Sequence, residues 1–195
     1  NLMEKSNGKK INTAVFISGK GSNLKSLIKH FKKKNSQIII RLVISNNLKA
    51  KGLFYAKQSK IKTYVTNFKN QNISEKKLLK KLFNNNINLV CLAGFMKILS
   101  KRFIKRFNKP ILNIHPSLLP KYKGLNTHAR VIKNKEKYSG ATVHLVNEKL
   151  DSGKIILKKS FEIFKNENIN TLKKKTQKAE YRAFSEAITK LYMES

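Results

Sequence analysis

The sequence predicts an α/β protein: a Rossmann-like, doubly wound and mostly parallel sheet flanked by helices, in a single domain. Two observations predict it. Short apolar runs alternate with one-sided helical patterns through the first 114 residues, the order expected of βαβ units. Three segments rich in small or polar residues follow such runs, and open α/β sheets bind ligands at the carboxyl ends of their strands. The three are Gly19-Lys20-Gly21-Ser22-Asn23, Gly94-Phe95-Met96-Lys97 and Asn113-Ile114-His115.

Strands are expected at residues 14–18, 38–44, 63–65, 89–93 and 111–114, each a short β-branched or aliphatic run. Helices are expected between them at 22–34, 49–59, 74–83 and 100–107. The third shows the clearest one-face spacing, with Leu78, Leu79, Leu82 and Phe83. After His115 a loop punctuated by Pro and Gly runs to about Asn126. A short helix at 127–134, strands at 141–146 and 154–161, and a closing helix at 172–192 follow. No repeat, low-complexity linker or domain boundary interrupts residues 1–195, and 1–11 read as a disordered N-terminal extension.

Composition narrows the function classes. A chain of 195 residues can bury a full core. It has no apolar run of membrane-spanning length, and residues 1–5 carry no apolar signal core, so a cytoplasmic protein without membrane partners is expected. Cys91 is the only cysteine, which rules out an internal disulfide and a thiolate-rich metal site; within Leu89-Val90-Cys91-Leu92-Ala93 it reads as a small buried side chain. The formal charge of +33 raises nucleic-acid binding. Only five basic residues are arginine (Arg41, Arg102, Arg106, Arg130 and Arg182), however, and the 38 lysines are scattered through every segment. Lysine, asparagine and isoleucine are inflated together, and their codons are rich in A and T, so mutational bias explains the charge. Arginine forks are what base readout favours, so no specific nucleic-acid partner is expected, only loose, salt-sensitive attraction to polyanions.

The chemistry concentrates near the middle. Asn113 and His115 stand two apart at the end of Ile111-Leu112-Asn113-Ile114, so a strand points both side chains the same way. An amide can donate to a developing oxyanion, and an imidazole can donate or carry a proton. Asp151, in Leu150-Asp151-Ser152-Gly153, lies 36 residues after His115; if the fold brings it to the ring it orients the imidazole and raises its pKa. Together the three side chains can move an acyl group without a metal. His144, inside Val143-His144-Leu145, reads as a satisfied strand residue; His128 is a weaker candidate and His30 an exposed helix residue.

Ile17-Ser18-Gly19-Lys20-Gly21-Ser22-Asn23-Leu24 reads as strand, glycine turn and helix start, a place for a phosphate, unless Ser22 and Asn23 simply cap the helix. A dinucleotide fingerprint would place a third glycine where Leu24 stands, and an acidic residue after the second strand where Ser45-Asn46-Asn47 stands. A phosphomonoester fits better than NAD. In the closing helix Glu180 precedes Phe184, Ala187 and Leu191 on the apolar stripe. It needs a partner there: either a structural one, or the amine of a substrate.

These segments resemble the phosphoribosylglycinamide formyltransferases, a family of the formyltransferase superfamily. The resemblance runs through Ile17 to Leu24, Leu92-Ala93-Gly94-Phe95-Met96-Lys97-Ile98-Leu99-Ser100, residues 113–122, and Gly140-Ala141-Thr142-Val143-His144 on to Gly153. It implies the formyltransferase fold and formyl transfer from the co-substrate 10-formyltetrahydrofolate to the amine of glycinamide ribonucleotide, a step of purine synthesis that uses small-molecule substrates and no metal. It implies that Asn113 and His115 stabilise the tetrahedral oxyanion, with His115 cationic, and that Asp151 holds that charge and assists proton transfer. Gly19, Lys20, Gly21, Ser22 and Asn23 would hold the ribose phosphate, and Glu180 the substrate amine. Phe95, Met96, Lys97, Ile98 and Leu99, with Asn113, would line the folate site. A monomer or weak homodimer is expected.

The chain departs from the family pattern in places. Lys97 stands for a common arginine, Lys123 and Lys154 for prolines, Ser152 for a glycine and Tyr181 for a histidine. A phosphate-assisting arginine is missing near Ser74 to Lys77, where Lys76 or Lys77 can substitute. Two sister activities use the same donor. Methionyl-tRNA formyltransferase is expected to carry a tRNA-gripping domain after the catalytic one, and formyltetrahydrofolate hydrolase a regulatory domain before it; neither domain appears in the 195 residues. A basic RNA-binding module on the same fold is the remaining alternative, and the intact Asn113, His115 and Asp151 speak against it.

Overall fold

The computed structural model describes residues 10–33 and 36–192. Seven strands form a sheet in the order β3-β2-β1-β4-β5-β6-β7. The strands are β1 (Ile11–Ile17), β2 (Ile38–Ser45), β3 (Lys62–Val65), β4 (Leu89–Leu92), β5 (Ile111–His115), β6 (Tyr138–Leu145) and β7 (Ile155–Glu162). The chain divides into two compact units, one ending at Leu112 and the other starting at Asn113. Each is described in turn.

In the first unit β1 pairs in parallel with both β2 and β4, and β2 with β3. Strand order therefore reverses direction between β1 and β4. Side chains that point into the crevice beyond those strand ends come from loops leaving in opposite directions, and ligands collect at such points. The helices are α1 (Ser22–Phe31), α2 (Gly52–Gln58), α3 (Gln71–Asn84) and α4 (Lys101–Phe107). Phe16, Leu24, Leu27, Ile44, Leu78, Leu82 and Phe103 fill the core between them.

Most expected elements stand within a few residues of their expected bounds, and the differences have local causes. Strand β1 opens at Ile11, inside the expected extension, because Ile11 is buried, pairs with Ile38 and donates its N–H to Gln37 O at 2.7 Å. The rest of that extension, residues 1–9, lies outside the described residues. Helix α3 begins at Gln71, earlier than expected, since the Asn70 side chain accepts from Ile73 N at 3.1 Å and caps the first turn. Phe83, expected on the buried stripe of α3, is 45% exposed and lies 6.5 Å from the Phe107 ring. Ser100 caps α4 in the same way, accepting from Phe103 N at 3.1 Å.

In the second unit, α5 (Thr127–Lys133) and α6 (Ile169–Tyr192) accompany β6 and β7. The two strands pair antiparallel, with Tyr138 opposite Glu162, which carries β6 three residues further back than the apolar run predicts. Helix α6 packs on both, burying Leu172, Ala179, Ala183, Phe184, Ala187 and Ile188. Strand β7 alternates exposed and half-buried residues, with exposed Lys158 and half-buried Lys159, as suits a strand at the sheet edge. Among the described residues no helix is long and apolar enough to cross a membrane.

Candidate active site

Strand β5 delivers two of the expected site residues. Ile111, Leu112 and Ile114 are buried and fix its register, leaving Asn113 half-buried and His115 only 5% exposed. Strand β6 brings His144, equally buried. The chain then turns back through residues 147–153, and Asp151 stands in the left-handed region at φ 46°, where Asp and Asn are the tolerated non-glycine residues. Gly153 lets that turn close: a Cβ there would fall 1.6 Å from the Leu145 carbonyl oxygen.

The four side chains meet. His115 Nδ1 lies 3.4 Å from Asp151 Oδ2, and His144 Nε2 lies 3.6 Å from Asp151 Oδ1. His115 Nε2 is 2.8 Å from the Tyr122 carbonyl. A carbonyl only accepts, so this nitrogen carries a proton. Nδ1 faces a carboxylate, so the surroundings of the ring match the imidazolium form. Burial nevertheless pulls the His115 pKa below the ordinary histidine value, outweighing the upward pull of the Tyr122 carbonyl and Asp151, while His144 and Arg130 add to the lowering. The rise expected from Asp151 is therefore present but overcome by desolvation.

Asp151 shows the opposite balance. Burial raises its carboxyl, but the neighbouring His144, the N–H of Gly124 at 2.9 Å and the His115 ring hold it below the usual carboxylate range. It is an anion at neutral pH. His144 Nδ1 is 3.0 Å from the Leu145 carbonyl, which only accepts, and Nε2 is 3.2 Å from the Asn113 amide nitrogen, which only donates, so Nδ1 carries the proton and Nε2 accepts. This contact orients the Asn113 carboxamide, whose second N–H remains for an oxyanion.

In the first unit, the glycine turn sits at the carboxyl end of β1. Gly21 is at φ +70°, and a Cβ on it would come 2.3 Å from Gly52 Cα, so the turn packs directly against the start of α2. Gly52 N donates to Gly19 O at 3.0 Å. Gly21 is also the N-cap of α1, and no side chain there bonds the first turn; Ser22 and Asn23 are helix residues rather than its caps. The Ser18 hydroxyl donates to Asn46 Oδ1 and accepts from Met96 N at 2.7 Å, joining the loops after β1, β2 and β4. Gly19 and Lys20 are exposed. After β4, Phe95 packs edge-on against Phe16 and Phe68, and Leu99 is buried. Met96, Lys97 and Ile98 are exposed between them, an apolar and cationic shelf.

Other candidates fall in different surroundings. Glu180 is half-buried on α6, with buried Thr176 and Phe184 one turn away on either side. Cys91 is fully buried, and burial pushes its thiol far above the usual range, which leaves it inert. Lys76 and Lys77 are exposed on α3, and Lys76 shares a shallow groove with Arg102 and Arg106.

A family model described as formyl transferase matches residues 11–188. The chain belongs to the formyl transferase family. It is 42% identical over 174 residues to the phosphoribosylglycinamide formyltransferase of Haemophilus influenzae, covering 88% of this chain and 82% of that protein. It is 40% identical over 183 residues to the human trifunctional purine biosynthetic protein adenosine-3, covering 92% of this chain but only 18% of that much longer protein. The crystal structure of phosphoribosylglycinamide formyltransferase from Brucella melitensis superposes with a TM-score of 0.88 at 37% identity, covering 93% of this chain and 95% of that one.

The expected site of this formyl transferase family member included neither His144 nor the loop residues. His144 is a satisfied strand residue, as its alternation suggests, and also a partner of Asn113 and Asp151. Its position seven residues before Asp151 on the strand feeding that turn was the available signal. Thr142, whose hydroxyl donates to Ser117 O at 2.6 Å and accepts from Leu119 N at 3.0 Å, pins the start of the loop to β6. Thr142 lies in the Gly140–His144 segment that carries the resemblance, but its spacing alone suggests no such role.

Proposed function

We propose that the chain transfers a formyl group from 10-formyltetrahydrofolate to the amine of glycinamide ribonucleotide, as a step of purine biosynthesis. The observation that carries this reading is the meeting of Asp151 with His115 at 3.4 Å, beside the amide of Asn113 on the same strand. The family membership supports the formyl donor, and the naming of the Haemophilus influenzae relative supports the acceptor.

The amine nitrogen forms a bond to the formyl carbon, and the carbonyl oxygen takes up negative charge. Asn113 Nδ2 supplies a donor for that oxyanion, and positive charge drawn onto the His115 ring, whose nitrogens face the Tyr122 carbonyl and Asp151, stabilises it electrostatically. Asp151, held ionised, favours positive charge on the His115 ring in the transition state and accepts the proton that the attacking amine loses. That proton passes through water to N10 of the folate as the C–N10 bond breaks. Gly19, Lys20, Gly21, Ser22 and Asn23 hold the ribose phosphate through backbone N–H groups and the Lys20 ammonium. Glu180 receives the substrate amine. Met96, Lys97, Ile98 and Asn113 face the folate, with Phe95 and Leu99 backing the shelf. The reading assigns no metal, a cytoplasmic location, a single catalytic domain over residues 1–195, and a monomer or weak homodimer.

Purified protein given 10-formyltetrahydrofolate and either glycinamide ribonucleotide or charged initiator tRNA tests this. Formylation of the ribonucleotide alone is expected. Formylation of tRNA alone would favour the sister activity, and tight, salt-resistant RNA binding with no transfer would favour the binding module.

A further inference from the structure

The loop of residues 116–126 touches the two central groups through its backbone: the Tyr122 carbonyl accepts from His115 Nε2, and the Gly124 N–H donates to Asp151 Oδ2. Tyr122 itself sits at φ 58°, a left-handed conformation that is strained for a residue other than glycine. Such strain persists only where surrounding contacts over-determine it. Here they come from outside the loop. Arg130 on α5 stacks its guanidinium over the Tyr122 ring at 5.2 Å and donates from Nη1 to Lys123 O at 2.7 Å and Leu125 O at 3.5 Å. Glu136, before β6, accepts from the Tyr122 hydroxyl at 2.7 Å and from Lys121 Nζ at 3.0 Å. Asn134 Nδ2 donates to the same hydroxyl at 2.8 Å. One aromatic side chain is gripped on its face and at its tip, and its own carbonyl holds the imidazole.

We propose that Arg130 and Glu136 clamp Tyr122 as positioning residues, setting His115 and Asp151 through the loop backbone. The proposal deepens the formyl-transfer reading and rests on it for its kinetic arm alone. Neither clamp residue touches a reacting atom; each acts on where the Tyr122 carbonyl and the Gly124 N–H stand. The charged and titratable groups that act on His115 are Asp151, His144 and Arg130, with His128 nearby. Tyr122→Phe alters none of those charges, so it isolates the positioning effect.

The test uses the full chain and two readouts: an NMR titration of the His115 imidazole, and kcat, KM and pH profile of formyl transfer. Tyr122→Phe and Glu136→Ala are expected to move the His115 titration to lower pH, because the ring loses its carbonyl acceptor. They are also expected to lower kcat about tenfold, with KM for either substrate within about twofold. Glu136→Gln keeps an acceptor for the hydroxyl and is expected to restore most of both. Arg130→Lys keeps the charge but loses the planar fork, so kcat stays low. A wild-type kcat with an unmoved His115 titration overturns the clamp. So does a loss of rate or melting temperature with the His115 titration still in place, since that is what a merely structural role would give. If the wild-type protein transfers no formyl group, the formyl-transfer reading fails, and the NMR titration alone decides the clamp.

Discussion

At the scale of single residues, the site is a contest between burial and pairing. His115 and Asp151 are similarly buried, yet the balance differs. Asp151 gathers the Gly124 N–H and two imidazoles, enough to keep its charge; His115 has a carbonyl and one carboxylate, which do not offset its desolvation. The Asp151 backbone at φ 46° makes the choice of probe important. Asparagine tolerates that conformation and alanine does not, so Asp151→Ala is expected to be about 1 kcal/mol less stable than Asp151→Asn. Thermal denaturation of the pair checks it; equal melting temperatures would mean the turn carries no such constraint. Asn113 and His115 were legible because period two sets their shared face. The contact of Asp151 was only a possibility at that level, since a separation of 36 residues says nothing about a turn. His144 escaped because a strand residue with a backbone partner looks complete, and its second nitrogen depends on what the following turn brings back.

At the scale of elements, the fold depends on close backbone approaches as much as on the apolar pattern. The turn before α1 meets α2 with no room for a side chain at Gly21, which also needs a positive φ. Gly21→Ala is therefore expected to lose about 1–3 kcal/mol of stability and to raise KM for the ribonucleotide, as measured by denaturation and steady-state kinetics. Unchanged values would remove this loop from both roles. The strands and helices of the first 112 residues were readable because buried aliphatic runs and one-sided helices repeat there. Helix starts were less so: α3 begins where Asn70 can cap it, ahead of its first apolar contact. The anchoring of Tyr122 by Arg130 and Glu136 was not readable at all, because a loop has no period and its contacts come from α5 and the turn beyond.

At the scale of the whole molecule, charge and protons act together. His115 and His128 both sit below their ordinary value of 6.5, His115 through burial, His128 through burial and then the nearby Lys173 and His115. Asp151 sits below its ordinary 3.8. A lowered pKa means the folded chain binds that proton less readily than the unfolded one. The stability from the two histidines is thus full above pH 6.5 and lost as pH falls through their lowered values; that from Asp151 goes at lower pH still. Protonation also adds to a formal charge of +33, so self-repulsion acts in the same direction. The melting temperature is expected to fall from pH 7 to pH 5, and to fall less in His128→Gln; a flat profile would contradict the assigned directions. The wide scatter of lysine was legible from composition, as was the α/β order. In the proposed formyl transfer, the Asp151 carboxylate held against His115 is the group the reaction depends on most. Its most direct test is the single-turnover rate of formylation of glycinamide ribonucleotide by Asp151→Asn against the parent chain, with donor binding measured alongside. A loss of about 10²–10⁴-fold in rate is expected, with donor affinity little changed; a parental rate in Asp151→Asn would contradict that role.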